Sequence, residues 1–168
     1  MDTIVQMRPA RSGDLGRVAE IYAHYVHNTT ITFAETELTA SEWESRLAQG
    51  LPFLVAESGG SIVGTAYCSP WKSKSAYRYT VENTIYLAPA EVGRGTGTLL
   101  LRELIALCAE AGLRELVAVI AGTGESASVK LHERCGFEHA GRLRGVGVKH
   151  GHTLDTVLMQ LHLNGVNH

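Results

Sequence analysis

A chain of 168 residues has the length of one ordinary domain, and 45% hydrophobic against 19% charged residues is the balance of a globular protein. A formal net charge of -2 gives no global reason to expect nucleic acid or an anionic membrane as a partner. No apolar run reaches the ~20 residues of a membrane span, the start MDTIVQMRPAR lacks a secretory apolar stretch, and Cys68, Cys108 and Cys135 form no CxxC pair. The expectations are a single domain over 1–168, a reducing cytoplasm, no disulfide framework, no metal site, and cysteines that serve as small core residues.

Thr3 to Met7 alternates in character and predicts a first strand. Ser12 is placed to cap a helix whose apolar face is Leu15, Val18, Ile21, Tyr22 and Tyr25. Thr39 to Glu42 is a capping box for a second helix that ends near Gly50. Strand-like runs at 52–57 and 61–68 flank Ser58-Gly59-Gly60, a short hairpin. Another strand covers Tyr79 to Leu87. After Gly93-Arg-Gly-Thr-Gly97 comes a helix with the face Leu100, Leu101, Leu104, Leu107, Cys108 and Ala111, closed by Gly112. Leu116 to Ile120 suits a strand buried on both faces, Ser126 to Cys135 a brief helix ended by Gly136, and Phe137 to Leu143 and Leu154 to Leu161 the closing strands. The order β-α-α-β-β-β-α-β-α-β-β predicts an α/β (α+β) fold: a mixed sheet of six to seven strands with about four helices on its two faces.

Glycines at 93, 95 and 97 lie between a strand and a helix, where free N–H groups and the helix dipole favour an anion, and Arg94 adds a full positive charge. The pattern is neither a P-loop nor a Rossmann fingerprint, and taken alone it leaves a structural turn as reasonable as a phosphate site. Its neighbours decide between them. The run Ile85-Tyr-Leu-Ala-Pro-Ala-Glu-Val-Gly-Arg-Gly-Thr-Gly97 resembles the acyl-CoA pyrophosphate loop of the GNAT superfamily of N-acetyltransferases, usually [Q/R]xxGx[G/A]. Val92 departs from the Gln/Arg position, which offers mainly its backbone N–H. Ser128 to Phe137 is similar to the same superfamily's last helix and its Gly-Phe ending. Ala76-Tyr-Arg-Tyr-Thr-Val-Glu-Asn-Thr-Ile-Tyr-Leu87 resembles the AYxxTVExxVYV stretch of the phosphinothricin and methionine sulfoximine N-acetyltransferases, and the likeness runs from about residue 5 to residue 162.

The resemblance implies acetyl-CoA as co-substrate and direct acetyl transfer, through a tetrahedral intermediate, to the amine of a small amino-acid-like molecule. It places Ile85, Tyr86, Leu87, Val92, Gly93, Arg94, Gly95, Thr96, Gly97, Thr98, Glu125 and Ser128 against acetyl-CoA. Glu125 stands where relatives usually carry an asparagine, and a carboxylate accepts hydrogen bonds without donating them. An amine needs a lone pair to attack, so a proton acceptor helps; Glu82 is the implied base, acting directly or through water. The Leu87 N–H is the implied donor to the developing oxyanion. His132 occupies the position of a general acid for the departing thiolate, with a purely hydrogen-bonded, structural histidine as the alternative.

On the acceptor side the resemblance implies Phe33, Lys72, Lys74, Tyr77, Asn83 and Thr84, with Lys149 and His150 as weaker candidates from a later loop. Lys72 and Lys74 replace arginines and lose their bidentate geometry. The family also implies a homodimer with the pocket near its interface. Other readings are a different acceptor (a polyamine, an aminoglycoside or a protein N-terminus) and a module that binds acyl-CoA without turnover.

Overall fold

The computed structural model describes residues 4–122 and 126–163. The chain runs through β1 (Val5–Pro9), α1 (Leu15–Asn28), α2 (Ala40–Ala48), β2 (Phe53–Ser58), β3 (Ser61–Pro70), β4 (Thr80–Leu87), α3 (Thr96–Glu110), β5 (Glu115–Gly122), α4 (Ala127–Arg134), β6 (Glu138–Lys149) and β7 (His152–His162). The seven strands form one sheet in the order β1-β2-β3-β4-β5-β7-β6. Every neighbouring pair is antiparallel except β4 and β5, which are parallel. This is the mixed α/β sheet that the patterning predicts, with the elements in the predicted order.

Alternation along the strands sends neighbouring side chains to opposite faces, so each central strand feeds two cores. Leu54, Ala56, Ala66 and Val81 join Leu100, Leu101 and Leu104 of α3, with Leu116 and Met159, on one face. Phe53, Val55 and Tyr67 join Val18, Ile21 and Tyr22 of α1 and Trp43 of α2 on the other. The second core is aromatic: the Trp43 ring meets Tyr67 edge-on at 5.8 Å and Tyr22 at 5.5 Å, and such pairs contribute ~0.5–1.5 kcal/mol beyond their buried area.

Local signals set most boundaries. Thr39 Oγ1 accepts from the Glu42 N–H at 3.1 Å, as the capping box requires, and Ser126 does the same for Val129 at 3.2 Å. Three boundaries differ from expectation. Ser12 does not cap α1: it opens a 3-10 turn whose end, Asp14, accepts from the Arg11 N–H and from the Arg8 guanidinium, so α1 begins only at Leu15. The first strand lies at Val5–Pro9, later than predicted, and Thr3 is outside the described residues. The strand expected to stop at Leu143 continues to Lys149, because a register shift between Leu143 and Gly147 takes up Gly145 at φ 63°. The supposed later loop is therefore the end of β6 and a tight turn, with His150 at φ 51° and Gly151 at φ 75°.

Candidate active site

The parallel strands β4 and β5 part halfway. Their last paired residues are Glu82 with Val117 and Asn83 with Ala118; beyond these β4 follows β3 up to Gly64↔Leu87, while β5 follows β7 up to Gly122↔Asp155. Ala88 donates to Val63 at 2.8 Å, so the alternation of an antiparallel ladder turns the Tyr86 and Thr84 amides toward β3 and those of Leu87 and Ile85 toward the departing β5. Both residues stay paired with β3, but on the β5 side the gap leaves their amides without a strand partner among the described residues. The gap holds a cavity of about 300 Å³, walled by Phe33, by Glu82 to Tyr86, by Ala118 to Ala121 and by the start of α4, including Ser128 and His132.

One end of the gap leads to the glycine loop. Gly93 and Gly95 have φ of 85° and 83°, a conformation that strains any residue with a Cβ. No N–H from Gly93 to Thr98 finds an acceptor among the described residues, so the start of α3 presents a row of open donors, the local chemistry of a phosphate cradle. Val92, Gly93, Arg94 and Gly95 are exposed; Thr98 is half-buried. Thr96 and Gly97 are buried for other reasons. The Thr96 hydroxyl donates to the buried Glu91 carboxylate at 2.7 Å, which commits the side chain and leaves only its backbone N–H for a ligand. Gly97 is covered by Leu131 and Leu87, which would meet a Cβ there at an ordinary contact distance of 3.5 Å, so its burial comes from the packing of α3 against α4 and β4.

Glu82, Thr84 and Tyr86 face the α1/α2 side. Burial pushes the Glu82 carboxyl above its ordinary range, while Arg46 and, less strongly, Lys72 pull it back. Arg46 reaches this region from α2 with its guanidinium over the Tyr67 ring at 4.9 Å and the Trp43 ring at 5.6 Å. Burial also raises the Tyr86 phenol, partly offset by the Thr32 hydroxyl. From α1, the Tyr25 hydroxyl donates to the Leu87 carbonyl at 2.5 Å, which fixes the end of β4 where the Leu87 amide projects.

Asn83 and His132 meet on the opposite face. His132 Nδ1 lies 2.7 Å from the Ser128 carbonyl, which can only accept, so Nδ1 carries the proton; Nε2 then accepts from Asn83 Nδ2 at 3.0 Å. The ring stands edge-on to Phe137 at 4.8 Å, and burial pushes its pKa down. In this geometry Nε2 is an acceptor, which is the arrangement of a neutral ring held between the Ser128 carbonyl and the Asn83 amide. The hydrogen-bonded alternative fits. Asn83 Oδ1 is buried without a partner among the described residues, and Asn83 itself is held to α4, away from the face that carries Glu82.

The structure gathers Phe33, Glu82, Asn83, Thr84, Ile85, Tyr86, Ser128 and His132 around one cavity. Lys72, Lys74 and Tyr77 stay outside it: both lysines are exposed, Lys72 lies over the Trp71 ring at 4.7 Å, and Tyr77 is 44% exposed on a 3-10 turn. Glu125 lies outside the described residues. Lys149 is buried and His150 occupies the β6–β7 turn, so neither lines this cavity. Ile31, Thr32, Arg46 and Tyr25 were absent from the expected set. Arg46 reads in the sequence as a surface cation of an amphipathic helix, and Tyr25 as a core residue, which it also is.

Residues 18–137 match the acetyltransferase (GNAT) family. The chain is 43% identical over 162 residues to the phosphinothricin N-acetyltransferase of Alcaligenes faecalis, covering 94% of this chain and 82% of that protein. It is 37% identical over 163 residues to the L-methionine sulfoximine/L-methionine sulfone acetyltransferase of Pseudomonas aeruginosa, covering 94% of each. Among solved structures, the GNAT superfamily phosphinothricin acetyltransferase of Sinorhizobium meliloti in complex with acetyl-CoA superposes with a TM-score of 0.88 at 38% identity, over 95% of this chain and 88% of that one. With the divided β4–β5 pair and the glycine cradle in place, these matches show that the chain belongs to the acetyltransferase (GNAT) family.

Proposed function

We propose that this protein transfers the acetyl group of acetyl-CoA to the amino group of a small amino-acid-like acceptor of the phosphinothricin or methionine sulfoximine/sulfone type. The observation that carries this reading is the gap between β4 and β5, where unpaired Ile85 and Leu87 amides open beside a half-buried Glu82. In this reading the amides receive the pantetheine arm as an added strand, the open N–H groups of residues 93–98 hold the pyrophosphate, and the Leu87 N–H faces the charge that develops on the acetyl oxygen.

Glu82 takes the proton from the acceptor's ammonium. A carboxyl raised by burial is a better match for that task than a solvated one near pKa 4.3. Asn83 and His132 hold the strand on the α4 side as a neutral pair, and the departing thiolate takes up, through solvent, the second proton that the acceptor nitrogen gives up as the tetrahedral intermediate collapses. Phe33 and Thr84 wall the acceptor, while Lys72 and Lys74 act at a distance as charges near the entrance. The whole chain works as one acetyltransferase domain.

The phosphinothricin and methionine sulfoximine/sulfone acetyltransferases that this chain resembles favour this acceptor class over polyamines or aminoglycosides, and a protein N-terminus is the competing acceptor. Thiol release from acetyl-CoA, followed with phosphinothricin, methionine sulfoximine, methionine sulfone, polyamines and peptides, tests it. Turnover fastest on the first three is expected; turnover only on peptides would overturn the acceptor class, and silence on all with acetyl-CoA still bound would favour the binding module.

The reading includes a homodimer in a reducing cytoplasm. Support for the first comes from β6, an edge strand with Leu143, Val146 and Val148 each more than half exposed; support for the second comes from three free thiols. No helix among the described residues is long and apolar enough to cross a membrane.

A further inference from the structure

Lys149 closes β6, and it is 1% exposed. A buried ammonium must have its protons bonded, and this one has no carboxylate within ion-pair distance among the described residues. Nζ donates instead to two carbonyls, Thr32 at 2.8 Å and Tyr25 at 3.2 Å. Tyr25 lies in the last turn of α1, where carbonyls lack helical partners and the helix dipole favours a cation. Thr32 lies in the segment between α1 and α2, which has no helix or strand of its own.

That segment needs external fixing, and it matters to the site: Ile31, Thr32 and Phe33 form one wall of the cavity onto which Glu82 opens. Two residues before Lys149, Gly147 supplies the second contact. A Cβ there would fall 2.2 Å from Cε1 of Phe33, so the ring packs directly on the bare backbone of β6. Strand, lysine and glycine thus hold the wall from behind; two of the three Nζ protons are bonded to these carbonyls, and Lys149 does not line the cavity.

We infer that Lys149 is a positioning residue of the acceptor pocket: its ammonium, bonded to the Tyr25 and Thr32 carbonyls, fixes the 29–34 segment so that Thr32 and Phe33 wall the pocket. The inference rests on the proposed function for the identity of the pocket, and on geometry alone for the fixing.

The test uses Lys149→Met, which keeps length and removes the donors, and Lys149→Arg, which keeps a cationic donor. Where Lys149→Met yields no folded protein, Lys149→Gln takes its place with the same readouts. The first readout is chymotryptic cleavage after Phe33, which follows local opening and needs no activity; it is expected to accelerate about tenfold in Lys149→Met with cleavage elsewhere unchanged. The second is the KM split: acceptor KM rises about tenfold while acetyl-CoA KM stays within about twofold, and Lys149→Arg stays within about threefold of wild type on both. Wild-type cleavage after Phe33 overturns the inference whatever catalysis does. Faster cleavage with an unchanged acceptor KM, an equal rise in both KM values, or an arginine variant as impaired as the methionine one also overturns it. If the wild-type enzyme acetylates no amine offered, the proposed function fails and the cleavage rate alone decides the fixing.

Discussion

Glu82 is held between opposing influences. Burial raises its carboxyl, and the Arg46 guanidinium and Lys72 ammonium lower it again. A base must be ionised to accept a proton, so the acid limb of the kcat/KM profile follows this group. Arg46→Gln removes the stronger of the two cations; the carboxylate then loses favourable charge and the limb is expected to move to higher pH. A limb that stays in place, or moves down, separates Arg46 from the base. Glu82→Gln is expected to lower kcat about 100-fold, within the range for a positioned base, while acetyl-CoA KM changes little. The same variant should melt higher at pH 7. A carboxyl whose folded pKa is raised opposes folding when charged: the penalty is complete above the folded value and gone below the unfolded one, about 4.3. The gain in Tm over wild type should therefore shrink as pH falls toward 4, and thermal melts at several pH values check the sign. Glu82, Asn83 and Thr84 were legible in the sequence because they sit side by side on one strand within a recognisable run. Arg46 and Tyr25 were not, since they reach the site from distant elements and each has an ordinary role in its own, helix surface and core face; Lys149 reads in the sequence as a loop residue facing the acceptor, whereas it is the buried end of β6.

Elements were more legible than contacts. The order of strands and helices follows from apolar spacing, and the Thr39 cap from local chemistry. The parting of β4 from β5 was not visible as geometry, because nothing in Ile85-Tyr86-Leu87 distinguishes a strand that has lost its neighbour from one that keeps it. In the sequence the end of β6 reads as a loop, because Gly145, Gly147 and Gly151 look like turn residues; of the three, Gly145 and Gly151 take positive φ, and Gly147 serves close packing instead. The glycine cradle joins both levels. Gly95 stands at φ 83° immediately before α3, so Gly95→Ala forces an L residue into the left-handed region at ~1–2 kcal/mol. The backbone relieves that strain by turning its N–H groups out of line. An acetyl-CoA KM raised about tenfold with acceptor KM nearly unchanged is expected, the transfer of a strain near 1.4 kcal/mol into binding. Equal losses on both substrates would mean that the loop shapes the whole domain rather than the cradle.

At the scale of the molecule, β6 poses a problem that the single chain does not solve. It is the last strand of the sheet, long, and it shows solvent Leu143 (52% exposed), Val146 (58%) and Val148 (66%). Edge strands of this kind invite pairing, and proteins that stay monomeric blunt them with charge, proline or a cover. Glu138, Arg142 and Arg144 supply charge at its start and middle, and Arg142 is already paired with Asp155. Between residues 146 and 148 nothing charged faces out, which suits a covered surface and supports the homodimer. The same stretch leads into Gly147 and Lys149, which back the Phe33 wall, so covering this edge would also brace the acceptor pocket. Val146→Glu with Val148→Glu places two carboxylates on that face of each subunit and is expected to give a monomer by sedimentation equilibrium. Its acceptor KM should rise severalfold while acetyl-CoA KM, set at the far glycine loop, holds steady. A variant that remains dimeric would put the interface elsewhere; a monomer with unchanged kinetics would show that the pocket is complete within one chain, with β6 covered for stability alone.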